Sequence, residues 1–360
     1  MRRLSLIVVL ALAALLVGNV PAAAVGPFGS DVILADCIPG PMGASIASDG
    51  TTRGFIPCTG GVGDGAIGYF RHKPGLALVK DPSPYTGKVL ATAWDGVDAL
   101  YVIFTQGSDL KVAKRTESTG AYSGTTLLAS GAGVVPFTAD VVASAGKWWA
   151  VWSAQTGPGG EFAQTELFQR HTLLGAAATT RITHTAASVD DAQPTLGYNG
   201  GLVTLIWSRT TNPAIPGPSD LRIATSTGGS WTSTTLASAG TTNDRPDSVN
   251  VNGVTYVAWQ RDGAIVQADN AGGTFATHTF ATHGVGPKVG ASGGRVFVGW
   301  TIGSSSSSSQ QLFFAERSAG SWTGVVLASF PGVAAAVLGQ GGKARAIYGE
   351  DERFHLRAQT

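Results

Sequence analysis

The segment PTLGYNGGLVTLIW (residues 194–207) returns twice in the same frame, as PDSVNVNGVTYVAW (residues 246–259) and PKVGASGGRVFVGW (residues 287–300). In all three copies the proline precedes the tryptophan by 13 residues, and a turn containing glycine separates two apolar runs. Short runs rich in β-branched and aromatic residues, joined by such a turn, are typical of a β-hairpin. Each copy therefore predicts two antiparallel strands, of which the second ends on the tryptophan.

Looser copies extend this repeat along the whole chain. The residue in the tryptophan position is, in chain order, Cys58, Phe104, Trp152, Trp207, Trp259, Trp300 and Tyr348. A third strand is predicted after each copy, and a second turn then leads to a fourth strand. A four-stranded unit with a period of roughly 40–50 residues is typical of the blades of a β-propeller. The predicted fold class is therefore all-β, a single β-propeller of seven four-stranded blades, with six blades as the alternative.

The last repeat lacks a fourth strand at its own end. Its third strand is RFHLRAQT (residues 353–360), with which the sequence stops. At the other end of the chain, GSDVILADCIPGP (residues 29–41) resembles the fourth strand of the preceding repeat. Because open strand edges promote aggregation, a propeller is expected to cover them. Residues 31–36 are therefore predicted to pair with the terminal strand and to close the ring.

The first 24 residues have the pattern of a secretory signal peptide. Arg2 and Arg3 precede an apolar run, and small residues before Ala24 provide a cleavage site. We therefore expect a signal peptide at 1–24 and a secreted propeller domain at 25–360.

Charged residues are scarce in this chain. Lys and Arg number 24, Asp and Glu number 23, and together they make up 13% of the residues, against roughly 25% in an average protein. Nucleic acid and anionic membranes both require clustered basic residues, so neither is expected as a partner. We expect a monomer.

The two cysteines of the sequence are Cys37 and Cys58. A secreted protein folds in an oxidising compartment, so the pair is interpreted as a structural disulfide. On the chain-entropy account, a loop of this length would stabilise the fold by about 3 kcal/mol. The bond would join the closing strand to the first blade.

The connections of a propeller emerge on two faces. Those between strands two and three, and those between blades, share one face, which we call the first face; the short glycine turns lie on the second face. On the first face several connections are long and varied, including 153–165, 208–220 and 301–310. Loops of this kind are free to carry function.

The same face is predicted to collect most of the suggestive polar side chains. Arginines and carboxylates together could perform acid–base chemistry or bind an acidic sugar. Asp is also an ordinary turn residue before proline, so a purely structural role remains open. The candidates are Arg209, Arg245, Arg261, Asp190 and Asp191 for ligand binding, and Asp244 and Glu350 as weak candidates for catalysis.

One aromatic residue is added to these candidates. Trp152, Trp207, Trp259 and Trp300 are expected to be core wedges between blades, whereas Trp148 is predicted to present an exposed ring because it is adjacent to Trp149 in a strand.

No cofactor is expected from the sequence. The histidines are dispersed over separate repeats, without the spacing of a zinc site, and no G-x-S-x-G sequence indicates a serine nucleophile.

Two turns carry a family resemblance. STGGSWTS (residues 226–233) and RSAGSWTG (residues 317–324) are similar to the Asp-box turn of bacterial neuraminidase repeats, Ser-x-Asp-x-Gly-x-Thr-Trp, without its aspartate and with shorter spacing. The resemblance is to sialidase-like propellers. In that family three arginines bind the substrate carboxylate, a Tyr–Glu pair supplies the nucleophile, and an Asp acts as the acid. No matching arginine motif lies near the start of this propeller, and Tyr348 occupies a core position.

Two functional hypotheses follow from these observations. The first is a non-enzymatic propeller that binds a glycan or an extracellular protein through the first face. The second is a divergent sialidase-like glycoside hydrolase, in which Arg209, Arg245 and Arg261 hold a carboxylate and Asp244 or Glu350 is the acid–base group. The fold hosts both kinds of protein and does not decide between them.

Overall fold

The computed structural model is an all-β structure in the part of the chain that it describes. That part comprises residues 28–35, 42–58, 65–130, 138–156, 164–173, 178–186, 189–211, 218–228, 230–238, 240–302, 310–328, 333–350 and 353–360. Within these ranges, 28 strands form seven separate four-stranded antiparallel sheets. The seven-bladed propeller predicted from the repeats is confirmed, and the six-bladed alternative is wrong.

The seven sheets, named blades 1 to 7, are described from the central channel outward. Blades 1 to 3 contain, in this order, β2 (Gly43–Ile46), β3 (Thr52–Cys58), β4 (Ala66–His72) and β5 (Val79–Thr86); β6 (Lys88–Trp94), β7 (Ala99–Gln106), β8 (Asp109–Thr116) and β9 (Thr126–Ala129); β10 (Ala139–Ser144), β11 (Lys147–Thr156), β12 (Gln164–His171) and β13 (Thr180–Arg181). Blades 4 to 6 contain β14 (Val189–Asn199), β15 (Leu202–Thr211), β16 (Ser219–Ser226) and β17 (Thr232–Ala237); β18 (Asn243–Val251), β19 (Val254–Arg261), β20 (Ala264–Asp269) and β21 (Ala276–His283); β22 (Val285–Ser292), β23 (Arg295–Ile302), β24 (Gln311–Ser318) and β25 (Ser321–Ala328). Blade 7 contains β26 (Val333–Gln340), β27 (Lys343–Glu350), β28 (Arg353–Ala358) and, outermost, β1 (Val32–Ala35).

The N-terminal strand closes the ring as predicted. Strand β1 pairs antiparallel with β28, with Ile33 opposite His355. Just before β1, Phe28 packs edge-on against Phe314 of blade 6, with the ring centroids 5.1 Å apart. Asp31 lies against the same edge, since its Oδ2 is 2.6 Å from His355 Nδ1. The terminal strand edge is therefore covered by residues from the other end of the sequence.

The predicted disulfide and signal peptide lie largely outside the described residues. Cys58 ends β3, where its backbone pairs with Ala66, but Cys37 and residues 1–27 are not described. No helix in the described ranges is long and apolar enough to cross a membrane.

The apolar core lies between neighbouring blades. Trp149 of blade 3 packs in one cluster with Trp207 of blade 4, whereas Trp148 and Trp152 pack in another with the strands of blade 2. The exposed ring predicted at Trp148 is therefore wrong, because its side chain is only 8% exposed. Adjacent strand residues do face opposite ways, but in a propeller each side of a sheet is covered by the next blade. The tryptophans in the repeat position are all buried, as predicted.

At some positions near the axis, an inner strand lies too close to the next blade for its residue to carry a side chain. A Cβ added to Gly43 of blade 1 would lie 2.1 Å from Thr92 Oγ1 of blade 2. A Cβ on Gly339 of blade 7 would lie 2.6 Å from the backbone of Ala291 in blade 6. Part of the high glycine content thus permits the innermost strands to converge.

Candidate functional site

The innermost strands of all seven blades enclose a central channel of about 450 Å³. Each of these strands begins at the first face, because the connection from the preceding blade reaches it there. The candidate residues from the sequence cluster at this end of blades 4 and 5.

In blade 4 one carboxylate organises a tryptophan and an arginine. Asp191 of β14 is fully buried, and its Oδ1 accepts a hydrogen bond from Trp207 Nε1 at 2.7 Å. The guanidinium of Arg209 in β15 binds the same carboxylate in a bidentate manner: Nε donates to Oδ1 at 2.7 Å and Nη2 donates to Oδ2 at 2.8 Å. A bidentate ion pair of this kind is strong and directional. It also leaves neither oxygen of Asp191 free for a ligand.

Blade 5 repeats the arrangement with an amide. Asn243 Oδ1 accepts hydrogen bonds from Trp259 Nε1 at 3.0 Å and from Arg261 Nε at 3.1 Å, while Asn243 Nδ2 donates to the Ser219 carbonyl at 2.7 Å. The corresponding residue of blade 6 is Gly284, to judge by its distance from the following proline. These contacts bind each tryptophan to the inner strand of its own blade, so they have a structural role.

A bulge follows at the same position in each of these inner strands. The residue before the proline has a left-handed backbone, with φ 56° at Gln193, 52° at Arg245 and 60° at Gly286. The strand register shifts at each of these points. Gly286 adopts this conformation freely, but the other two have side chains and are strained there.

Arg245 combines that strain with exposure. Its backbone N–H donates to Gln193 Oε1 of blade 4 at 2.5 Å, which fixes the bulge. Its side chain is 53% exposed, and Nε lies 3.9 Å from Asp244 Oδ2. The Arg245 side chain therefore stands at the first face, near the mouth of the channel, with about half of its surface exposed.

Two partly buried carboxylates lie in this region: Asp244, beside Arg245 in blade 5, and Asp190, in the preceding blade 4. Asp244 Oδ1 is buried and has no hydrogen-bond partner in the described structure. Burial raises the pKa of Asp244 above its usual value, and Arg245 offsets part of that effect. Asp190 Oδ1 accepts the backbone N–H of Thr165 at 2.7 Å, and burial raises its pKa also.

The structure thus brings together some of the candidates and separates others. Each of the three arginines contacts a different side chain: Arg209 binds Asp191, Arg261 binds Asn243, and Arg245 lies near Asp244. Glu350 ends β27 in blade 7, where its backbone pairs with Arg353, and its side chain is not described. Trp148 lies at the second face, where it lines a cavity between blades 2 and 3.

Sequence reasoning missed the charged side chains of the channel wall. Lys288 Nζ is 3.1 Å from Asp247 Oδ1, and each residue directly follows its bulge proline. Both residues pair with the residue before the repeat tryptophan, and side chains at that register position also accept backbone N–H groups from the next blade: Asp140 from Leu196 (2.7 Å), Thr195 from Ser248 (3.0 Å) and Asp247 from Val289 (2.7 Å). The signal in the sequence was a polar residue in the same place of successive repeats.

A second cluster that the sequence did not reveal lies between blades 1 and 2, at the second face. Glu117 accepts Tyr69 Oη at 2.8 Å and Arg115 Nη1 at 2.5 Å. Arg53 Nε and Arg71 Nη1 lie 3.5 Å and 3.9 Å from the same carboxylate. Three arginines and a Tyr–Glu pair are the residue types that the sialidase resemblance implies. Here Tyr69 is 1% exposed, so the group joins two blades and does not open to a substrate.

No three His, Cys, Asp or Glu side chains in the described ranges are placed to hold a metal ion.

Comparisons place the chain among β-propellers. Its sequence matches no protein-family model and no curated protein. Its fold is similar to the β-propeller domain of Myceliophteria thermophila Cps50 (Swd1), with a TM-score of 0.57, 13% identity, and coverage of 93% of this chain and 100% of that one. It is also similar to the α-L-arabinofuranosidase Arb93A of Fusarium graminearum, with a TM-score of 0.53, 11% identity and coverage of 84% and 99%. YCF48 bound to D1 peptide gives a TM-score of 0.52, 9% identity and coverage of 95% and 97%. At these identities the likeness shows the fold alone, and the proteins that share it include both an enzyme and a peptide-bound propeller.

Proposed function

We propose that this protein is an extracellular, monomeric, non-enzymatic binding module that recognises a protein partner through Asp244 and Arg245 on the first face. The observation that supports it is the strained and exposed arginine at the channel mouth. A residue with a side chain in the left-handed region costs about 1–2 kcal/mol, and blade 6 has glycine at the same place. We interpret the exposed charged side chain held at that cost as a functional feature, because strained residues cluster at binding sites.

The chemistry of Asp244 and Arg245 defines the partner. The Arg245 guanidinium offers donors to a carboxylate, and the Asp244 carboxylate beside it, whose side chain is 28% exposed, can accept a donor from the partner. An acidic segment of a polypeptide, with its backbone N–H groups, supplies both. YCF48 with its bound peptide is a precedent for a polypeptide on a propeller of similar fold.

Hydrolysis is the less favoured function. A retaining or inverting mechanism needs two carboxyl groups that face a common substrate. Asp191 is occupied by Trp207 and Arg209, and Glu117 is enclosed by arginines. In this proposal the resemblance to Asp-box propellers therefore concerns their fold and not their catalytic activity. Secretion rests on the signal-peptide pattern of residues 1–24.

The test offers three classes of ligand to one preparation of the mature protein. A random peptide display library, a glycan array, and fluorogenic sialoside and arabinofuranoside substrates are assayed in parallel. We expect enrichment of peptides that contain Asp or Glu, without turnover of either substrate. Binding to glycans without peptide enrichment would make the protein a lectin, and turnover would make it an enzyme; either result contradicts the proposal.

A further inference from the structure

A second cavity, of about 430 Å³, lies at the seam where the ring closes. It is at the second face, between blades 7 and 1, and so is remote from Asp244 and Arg245 on the first face. Its wall includes the turn after β4, the beginning of β27 and the residues that precede β1. The volume is within the range of pockets that hold small organic ligands, roughly 300–1,000 Å³.

Arg345 in its wall is a buried cation without a carboxylate partner. The side chain belongs to a residue that is 7% exposed, and its hydrogen bond within the described structure is to Thr52 Oγ1. The other buried arginines, Arg53 and Arg115, both pair with Glu117. A buried charge is costly unless it is paired, so Arg345 differs from them in needing an anion.

The nearest acidic side chain does not satisfy this need. Asp49 acts on Arg345 only through space. Its carboxylate is 51% exposed and is bound by Thr51 and Lys73. No Asp or Glu side chain of the described residues lines the cavity, although Thr360, the last residue of the sequence, lies in its wall.

Two further basic side chains line the same wall. His72 is 8% exposed, and its Nδ1 is buried without a hydrogen-bond partner in the described structure. Burial and the neighbouring Arg345 lower the pKa of His72, as expected for a site that lacks its anion. Lys343 also contributes to the lining. The titratable side chains of the cavity wall are thus all basic, and Ser30, Gln340, Gln359 and Thr360 add other polar groups.

The remainder of the wall is largely apolar. Val32, Pro74, Ala344, Leu356 and Ala358 line it beside the three basic residues. A bare inorganic anion would leave these surfaces uncovered, whereas an apolar group attached to the anion would bury them. The size and the composition of the wall therefore favour an amphipathic ligand.

We propose that the seam cavity binds a carboxylate carried by a small apolar group, with Arg345 and His72 holding the carboxylate and Val32 and Leu356 contacting the apolar part. Two sources share this chemistry: a free organic acid, and the C-terminal residue of a peptide. The site is independent of the proposed function, because none of its residues belongs to the first face.

The experiment measures binding by calorimetry with three probes. They are 3-methylbutanoate, a short neutral peptide that ends in a free valine carboxylate, and inorganic phosphate. We expect saturable binding of the first or the second probe, and the tighter of the two identifies the source. Phosphate should bind about tenfold more weakly. Absence of binding by both carboxylates, or equal binding of phosphate, would overturn the proposal.

Variants assign the binding to the cavity. Arg345→Met should weaken carboxylate binding by about tenfold or more, without loss of resistance to urea, because it removes an unpaired buried charge. Lys73→Gln is the control, since Lys73 adjoins His72 in sequence but is absent from the cavity wall and pairs with Asp49. Unchanged binding by the Arg345 variant, or equal losses in both variants, would place the ligand elsewhere and contradict the proposal. Amidation of the peptide's terminus separates its carboxylate from the rest of its chain: retained binding would also contradict it.

Discussion

The indole nitrogen of Trp207 donates a 2.7 Å hydrogen bond to the fully buried carboxylate of Asp191. The next blade makes the same contact between Trp259 and Asn243. The tryptophan that repeats along the sequence is therefore held twice, by apolar packing between blades and by a polar residue in the inner strand. An arginine two residues after the tryptophan completes both arrangements.

Substitution of Asp191 should destabilise the fold strongly. Asp191→Ala leaves the Trp207 N–H without an acceptor and Arg209 without its counter-charge, so we expect a loss of about 3–5 kcal/mol in the free energy of unfolding. Asp191→Asn keeps an acceptor for Trp207, as Asn243 does in blade 5, and should lose about 1–3 kcal/mol. Urea titration followed by tryptophan fluorescence measures both. Equal losses for the two variants would show that a neutral acceptor for Trp207 contributes nothing and that the charge of Asp191 accounts for the whole effect.

Removal of the N-terminal strand should cause association. Without residues 28–35, strand β28 has an open edge, and the contact of Phe28 with Phe314 is lost. Open edges pair with other chains. Size-exclusion chromatography with light scattering should therefore show oligomers or aggregates of a protein that begins at residue 42. A monodisperse monomer would show that the ring does not depend on this closure.

The fold was predictable because each blade repeats the same local signals. The proline, the glycine turn and the buried tryptophan of 194–207 recur, and the similarity of 29–41 to an outer strand revealed the closure. Trp148 was placed wrongly because the period-two rule gives the direction of a side chain but not what covers it. In this fold the side chain of Trp148 packs against blade 2 and is buried there.

The site was less accessible to sequence reasoning. Glu117 meets Tyr69 and Arg53 across two blades, and no local spacing links these residues. Arg209 and Arg245 look equivalent as arginines of the first face, yet one is bound to Asp191 and the other is exposed. Hydrogen bonding between strands of one blade decides which arginine is paired, and this pairing cannot be predicted from the residue types alone.

Asp140 should make stability depend on pH in a characteristic direction. Burial in the channel wall raises the pKa of its carboxyl from 3.8 to about 6. Because this folded-state pKa exceeds the unfolded value of about 3.9, the folded protein binds the proton more tightly. The stability contributed by protonation is complete below about pH 4 and is lost as the pH rises to about 6.

Comparison with Asp140→Asn isolates that effect, since the variant does not titrate. Between about pH 4 and pH 7, the stability of the natural protein relative to the variant should fall by about 1–2 kcal/mol, less than the full value for the shift because the side chain is only partly buried. Urea titrations at a series of pH values measure it. A relative stability that rises over this interval would show that Asp140 is held as a stabilised anion.

Substitution of Arg245 by glycine should show whether this residue is kept in a strained conformation for binding. Glycine relieves the left-handed strain, as Gly286 does in blade 6. Ala319→Gly is the matched control, because Ala319 has φ 50° in a turn on the second face. Both variants should keep or raise the free energy of unfolding, by up to about 1 kcal/mol.

The decisive measurement is peptide-library selection on the natural protein and these two variants in parallel, with urea titration of the same preparations. We expect Arg245→Gly to lose the enrichment of acidic peptides while it remains fully stable, and Ala319→Gly to retain both properties. Undiminished enrichment with Arg245→Gly, or a clear loss of stability in that variant, would show that Arg245 serves the fold and not the binding of a partner.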